Sequence, residues 1–178
     1  MGAVRLRAAT LDDAEAIAAI YAPYVAETAI SFEEEAPGAD EMRRRIAAVT
    51  THFAWFVAEQ DGQISGYAYA DLFRTRPAYR WAAETTVYVA QGQHGLGIGR
   101  TLYAALLESL RAQGYVTAIG AVTLPNPASA ALHEAMGFTL AGTYRGIGFK
   151  HGSWHDVGIW QCDLAARPAR PEQPTLPA

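Results

Sequence analysis

A chain of 178 residues that is 51% hydrophobic and 18% charged has enough apolar material to bury one full core and is short enough to be one domain. Its net charge of −4 gives no reason to expect nucleic acid or an anionic membrane as a partner. No run of eighteen apolar residues is present to span a bilayer, and Met1 to Thr10 has no signal-peptide core, so the expected location is the cytoplasm. The one cysteine, Cys162, can form no intrachain disulfide and has no companion for a zinc site; it reads as a small buried hydrophobe.

In chain order, Val4-Arg5-Leu6-Arg7 alternates as a strand does, and Thr10 caps a helix that opens at Leu11-Asp12-Asp13 with acidic residues in its first turn. Ile17, Ile20, Tyr21 and Tyr24 share its apolar face. Pro23 is expected to kink or end this helix, leaving Thr28 to Glu33 extended. Pro37-Gly38 reads as a turn, followed by a helix from Asp40 to Val49 with Arg43, Arg44 and Arg45 on a solvated face. Asp61-Gly62, between the apolar runs Phe53 to Glu59 and Ile64 to Phe73, is the strongest hairpin signal in the chain.

Arg74 to Ala83 interrupts the sheet. Thr85 to Val89, β-branched and aromatic, resumes it, and Gly92, Gly95, Gly97 and Gly99 lead directly into a helix with Leu102, Leu106, Leu107 and Leu110 on one face. Val116 to Val122 is a further strand, Asn126 to Met136 a helix, and Phe138 to Tyr144 and Gly158 to Leu164 the last strands. This order predicts a single α/β (α+β) domain over residues 1–165, a mixed and largely antiparallel sheet flanked by helices. Residues 166–178, rich in Pro and Ala, read as a disordered tail.

A strand that passes through glycines into a helix start leaves several backbone N–H groups aimed one way, reinforced by the helix dipole, and so makes an anion site suited to phosphate. The dinucleotide pattern G-x-G-x-x-G does not fit, because Arg100 stands where its last glycine belongs. A P-loop does not fit either, because Gly99 is followed by Arg100-Thr101 instead of Lys and a hydroxyl residue. A structural turn without a ligand is the remaining plain reading, although four glycines in eight residues exceed what a tight turn needs.

His94-Gly95-Leu96-Gly97-Ile98-Gly99 resembles the pyrophosphate loop of the GNAT N-acetyltransferases, with His94 replacing the usual Gln or Arg. Ala83-Glu84-Thr85-Thr86-Val87-Tyr88-Val89, Thr101-Leu102-Tyr103, Leu124-Pro125-Asn126, His133-Glu134-Ala135-Met136-Gly137-Phe138 and Gly148 to Gly158 extend the resemblance to the phosphinothricin N-acetyltransferase branch, over about the first 165 residues. The resemblance implies the GNAT fold and acetyl-CoA as cosubstrate. It implies a cofactor site at Val87, Tyr88, Val89, His94, Gly95, Leu96, Gly97, Ile98, Gly99, Arg100, Asn126 and Ser129.

Acetyl transfer to an amine needs the neutral amine, a polarised thioester carbonyl and a protonated leaving thiolate. Glu84 matches the proposed base of the resembled branch; taken without the resemblance it reads better as a strand-end salt bridge. His133, one helical turn after Ser129, matches the acid that this branch carries where the wider superfamily has Tyr; its plain alternative is a histidine hydrogen-bonded within the packing. A backbone N–H from Val87 to Val89 suits the thioester oxygen where the strand parts from its neighbour, and Asn126 both caps its helix and can meet the cofactor arm.

Substrate contacts are expected from Phe32, Glu33, Phe73, Arg74, Tyr79, Arg80, Thr85 and Thr86, because guanidinium groups beside the central strand suit a carboxylate or phosphinate. The substrate is then a small amino-acid-like amine such as phosphinothricin or methionine sulfoximine or sulfone. Protein N-termini or polyamines are the competing substrates, and a non-catalytic acyl-CoA sensor the competing class. Lys150-His151-Gly152-Ser153-Trp154-His155-Asp156 lacks a third ligand at a known spacing, so no metal is expected. Trp154 and Trp160 suggest packing and a homodimer contact.

Overall fold

Along Gly66-Tyr67-Ala68-Tyr69-Ala70 every second residue is small, and this alternation decides how the sheet is covered. In the computed structural model, which describes residues 4–177, the strands are β1 (Arg5–Ala8), β2 (Trp55–Gln60), β3 (Gln63–Leu72), β4 (Ala82–Val89), β5 (Thr117–Leu124), β6 (Thr139–Lys150) and β7 (Ser153–Asp163). They form one sheet in the order β1-β2-β3-β4-β5-β7-β6, antiparallel everywhere except between β4 and β5. The helices are α1 (Ala14–Glu27), α2 (Ala39–Val49), α3 (Ile98–Gln113) and α4 (Pro127–Ala135).

On one face Ala58, Ala68, Ala70 and Ala83 leave room for α3, whose Leu102, Leu106, Leu107 and Leu110 are wholly buried against them. A Cβ at Gly66 would meet the Tyr88 carbonyl oxygen at 2.9 Å and Leu102 Cδ1 at 3.1 Å, so the close approach of α3 depends on glycine there. On the other face Trp55 and Tyr67, joined by Tyr69 and Tyr88, meet Ile17, Tyr21, Tyr24, Met42 and Ile46 of α1 and α2. Trp55 stacks on Tyr69 at 4.1 Å, and such pairs add to the area term.

β4 and β5 are joined only at Ala82↔Thr117, Ala83↔Ala118 and Glu84↔Ile119. Beyond Glu84, β4 stays with β3 as far as Val89↔Gly66, while β5 follows β7 as far as Leu124↔Asp156. The sheet therefore splits into two diverging halves, with a wedge between them.

Several local expectations change. α1 runs through Pro23 to Glu27, because the buried Tyr24 and Val25 hold its last turn in the core. Thr28 to Glu33 is a bent segment and not a strand, and it is tied down from β6: the buried Lys150 ammonium donates to the carbonyls of Val25, Ser31 and Glu33 at 2.6, 2.7 and 2.7 Å. Arg45 is not merely solvated; it pairs bidentately with Glu33 and also with Glu41. β6 and β7 are longer than their apolar cores, forming a hairpin through His151 and Gly152, both in the left-handed region. The tail has no regular element but is not free: Trp81 Nε1 donates to the Glu172 carbonyl at 2.6 Å, and Gln113 and Thr175 exchange backbone and side-chain hydrogen bonds.

Lys150 offers three donors to three carbonyls, and a shape-matched apolar side chain would strand all three. Lys150→Met should therefore lower unfolding free energy by about 2–3 kcal/mol, measured by urea denaturation.

Candidate active site

The wedge between β4 and β5 opens onto a groove of about 470 Å³, walled by Val87, Tyr88 and Val89 on one side and by Asn126, Ala128, Ser129 and Leu132 on the other. Its floor is the glycine loop. Gly92, Gly95 and Gly97 all have positive φ, and Gly97, the N-cap of α3, has φ 81°. The first intrahelical hydrogen bond here runs from Thr101 N–H to the Gly97 carbonyl, so the amides of Ile98, Gly99 and Arg100 precede it at the helix end. His94, Gly95, Gly97, Ile98, Gly99 and Arg100 line the groove, whereas Leu96 is 47% exposed and stands outside it. An anionic diphosphate fits this end by charge and by the open space beside Gly95 and Gly97.

Tyr24, which reads in the sequence only as part of the apolar face of α1, belongs to the groove as well. Its hydroxyl donates to the Val89 carbonyl at 2.6 Å and lies 2.7 Å from His94 Nε2. Since the phenol has one hydrogen and a carbonyl only accepts, His94 must carry its proton on Nε2 and donate to Tyr24. The His94 side chain is thus held against α1 and the strand end.

Where the wedge narrows, a cavity of about 80 Å³ is bounded by Glu84, Thr85, Thr86, Val87 and Tyr88 of β4, Ala121 to Thr123 of β5, and Asn126, Ser129 and His133 of the α4 segment. Ile30 closes both this cavity and the groove. Asn126 Oδ1 accepts from the Ser129 N–H at 3.1 Å, so the cap that starts α4 also sets a polar group on the shared wall. Burial pushes the Glu84 carboxyl above its ordinary range; Asp71, its register partner on β3, adds to this and Arg74 pulls it back. A carboxyl raised by burial in a cleft is a candidate for proton transfer.

His133 is only 4% exposed. Its Nδ1 lies 2.8 Å from the Ser129 carbonyl and its Nε2 2.9 Å from the Tyr103 hydroxyl. Burial pushes this imidazole below its ordinary value, against the pull of the Ser129 carbonyl. The ring sits where Gly120 leaves room for it: a Cβ there would fall 2.2 Å from His133 Nε2. Gly120 could be found in the sequence only as a glycine inside a strand, a sign of close approach without an indication of what approaches.

The expected substrate segment is only partly gathered here. Thr85 and Thr86 line the cavity, and Arg74 acts electrostatically on Glu84 while lying 5.0 Å from the Phe73 ring centre and 5.8 Å from that of Tyr79. Arg80 instead bonds the Pro77 carbonyl and covers Trp81, and Tyr79 lines a different hollow beside the tail. Phe32 packs against Gly148 and His155. The Glu33 carboxylate is already taken by Arg45 and the Tyr21 hydroxyl, which hold it below the usual carboxylate range. Phe32 and Glu33 are thus engaged by neighbouring elements, while Ile30 of the same segment lines the cavity. The Glu33 side chain reaches Arg45 of α2 and the Phe32 ring packs on the β6–β7 hairpin.

Residues 6–159 match the family described as Acetyltransferase (GNAT) domain. The phosphinothricin N-acetyltransferase of Streptomyces viridochromogenes is 41% identical over 172 residues, covering 96% of this chain and 94% of that protein. The phosphinothricin N-acetyltransferase of Alcaligenes faecalis is 42% identical over 168 residues, covering 93% of this chain and 83% of that one. Among solved structures, the GNAT superfamily phosphinothricin acetyltransferase of Sinorhizobium meliloti in complex with acetyl-CoA superposes with a TM-score of 0.90 at 36% identity, covering 97% of this chain and 93% of that one. With a split sheet, a glycine-floored groove and this match over most of its length, the chain belongs to the GNAT acetyltransferase family.

Proposed function

We propose that the protein is an acetyl-CoA-dependent N-acetyltransferase that acetylates the amine of a small amino-acid-like substrate, such as phosphinothricin or methionine sulfoximine or sulfone, within a ternary complex. The observation that carries this reading is the continuity of the two spaces: the groove and the cavity share Ile30, Val87, Tyr88, Asn126 and Ser129 as walls, and the cavity ends at Glu84. A ligand chain entering from the glycine loop and an amine entering past Glu84 meet without a covalent enzyme intermediate. The substrate names of the relatives support the choice of amine, and the guanidinium of Arg74 beside Glu84 supports an anionic group on it.

The residues divide the work as follows. Ile98, Gly99 and Arg100 amides receive the diphosphate of acetyl-CoA, which supplies the activated acetyl thioester. Glu84 takes a proton from the incoming ammonium and frees the nitrogen lone pair. Backbone N–H groups of Val87 to Val89, on the strand edge that β5 has left, oppose charge on the thioester oxygen. His133 is the source of the proton that the departing sulfur needs.

The reading extends to assembly and location. β6 is an edge strand whose outer apolar residues are exposed, Ile147 at 57% and Phe149 at 58%, with Trp154 of β7 at 69%. An exposed, apolar sheet edge favours pairing with a second copy, and a homodimer through this hairpin is the proposed state. Among the described residues no helix is long and apolar enough to cross a membrane, and the cytoplasm is the proposed location.

Acetyl-CoA-dependent thiol release should occur with phosphinothricin, methionine sulfoximine or methionine sulfone and not with spermidine or a peptide amine; the opposite preference would replace the substrate class, and silence with retained acetyl-CoA binding would favour a sensor. Glu84→Gln should lower kcat by roughly 10²–10⁴-fold while leaving acetyl-CoA affinity nearly unchanged. Because a base must be ionised and the Glu84 carboxyl is raised, wild-type kcat/KM should fall with decreasing pH through an apparent pKa above the ordinary carboxylate range. Gly97→Asp, which adds both a charge and a side chain at a left-handed position, should abolish acetyl-CoA binding in calorimetry. Phe149→Glu should halve the mass seen by light scattering if the hairpin is the dimer contact.

A further inference from the structure

Beneath the cavity floor runs a buried polar chain whose hydrogens can be counted. It begins at the Ser129 carbonyl, 2.8 Å from His133 Nδ1, and continues from His133 Nε2 to the Tyr103 hydroxyl at 2.9 Å. From there it reaches Thr85 Oγ1 at 2.6 Å and ends at the Ile119 carbonyl, 3.0 Å further on. Both ends are carbonyl oxygens, which only accept. Neutral imidazole, phenol and threonine hydroxyl bring one hydrogen each, so three hydrogens serve these four contacts; the Ser129 hydroxyl, 3.4 Å from Nδ1, could donate to a bare Nδ1 but would leave that nitrogen and the Ser129 carbonyl facing as two acceptors. An imidazolium brings the fourth hydrogen and satisfies every contact.

We propose that the Thr85–Tyr103–His133 chain is a one-proton store that holds the imidazolium form of His133 in the folded protein, with Tyr103 and Thr85 as positioning residues. The inference rests on the acetyl-transfer reading for its use, and on hydrogen-bond geometry for its existence. The members are nearly inaccessible, Thr85 at 5%, Tyr103 at 0% and His133 at 4% exposure; Thr85 and His133 meet the cavity, while the Tyr103 link between them does not line it. Burial drives the Tyr103 phenol far above its ordinary range, which keeps its hydrogen in place and excludes a phenolate as the charged member.

The groups facing His133 are few. Tyr103 comes from α3 and Ser129 from α4, Gly120 of β5 lies against Nε2, and the rings of Phe138 and Trp160 close further sides; Thr85 of β4 is reached through Tyr103. Glu84 lines the same cavity and acts on Tyr103, as does the Cys162 thiol. Burial opposes the imidazolium, and the hydrogen shortfall opposes the neutral ring, since leaving a buried pair of acceptors face to face costs a full hydrogen bond.

Such a store matches what the reaction consumes. Converting an ammonium and a thioester into an amide and a thiol forms one N–C bond, breaks one C–S bond, removes two protons from nitrogen and returns one to sulfur. Glu84 passes one amine proton to solvent. The imidazolium gives its proton to the departing thiolate, and the second amine proton restores it, so the net product is one released proton. The Ser129 hydroxyl, 3.4 Å from His133 Nδ1 and on the wall shared by groove and cavity, is the exit toward the sulfur.

The test is a pH titration of ¹⁵N-histidine-labelled protein without ligands, read from long-range ¹H–¹⁵N spectra with His133 assigned by its loss in His133→Asn. In Thr85→Val the Ile119 contact and the Tyr103–Thr85 contact vanish, leaving two contacts for two hydrogens with a neutral ring. His133 should then release its second ring proton about one pH unit lower than in wild type, a roughly tenfold loss of proton affinity. Tyr103→Phe should act in the same direction, because the imidazolium loses its Nε2 acceptor. An unchanged or raised titration in Thr85→Val, with acetyl-CoA binding and melting temperature retained, overturns the proposal; should that variant fail to fold, the same outcome in Tyr103→Phe does so. Because no substrate is present, this result stands apart from the thiol-release panel: failure of the panel would reject the acetylation reading while leaving the proton count measured.

Discussion

The parting of β4 from β5 after Glu84 is the constraint on which the site depends. Three residue pairs hold the one parallel ladder among the described residues, and the next residue of β4, Thr85, already turns its hydroxyl to the Ile119 carbonyl. From there the two strands follow different neighbours, β4 with β3 and β5 with β7. Backbone groups on the inner edges, which a continuous sheet would consume, become available to a ligand. The glycine loop continues one edge and the Asn126 cap of α4 continues the other, so both walls of the groove descend from the same split.

The two faces of the sheet stabilise this split in different ways. Small residues on β2, β3 and β4 let α3 approach closely, and a close α3 places its N-terminal amides at the mouth of the wedge. The opposite face carries stacked aromatic rings that support α1, and the last turns of α1 deliver Tyr24 to His94 and hand the following segment to Lys150. Lys150 sits on β6, remote in sequence from the loop it holds, and its three carbonyl contacts set where Ile30 closes the cavity. A buried ammonium matched to three carbonyls, with Gly148 admitting the Phe32 ring beside it, makes this loop part of the sheet's far edge.

Charge at the site is governed by competition between burial and local donors. Glu84 and His133 are both pushed toward their neutral forms by desolvation, yet they face different partners. Glu84 has Asp71 and Arg74 acting in opposite senses on a carboxyl that burial has already raised. His133 lies at the head of a chain that ends in two carbonyl oxygens, where hydrogen-bond satisfaction favours the extra proton. Two titratable groups thus line one small space, each in a separately tuned environment.

Much of this was legible in the residues themselves. Local backbone chemistry determines the glycine loop, the helix start behind it, the Asp61-Gly62 hairpin and the Asn126 cap, because each depends on side chains within a few positions of one another. The resemblance carried by Glu84 to Val89 and His133 to Phe138 pointed to the family. What sequence could not decide were pairings made across the fold. Glu33 lies in a polar stretch that reads as open to substrate until Arg45 and Tyr21 are brought against it. Pro23 signals a helix end until the burial of Tyr24 and Val25 outweighs it. The long β6–β7 hairpin lies beyond any apolar run, since its outer residues face away from the core. Tyr103, Gly120 and Lys150 carry no local signal of their roles, because a proton count, a ring's clearance and a buried ammonium's three acceptors exist only once distant segments share one volume.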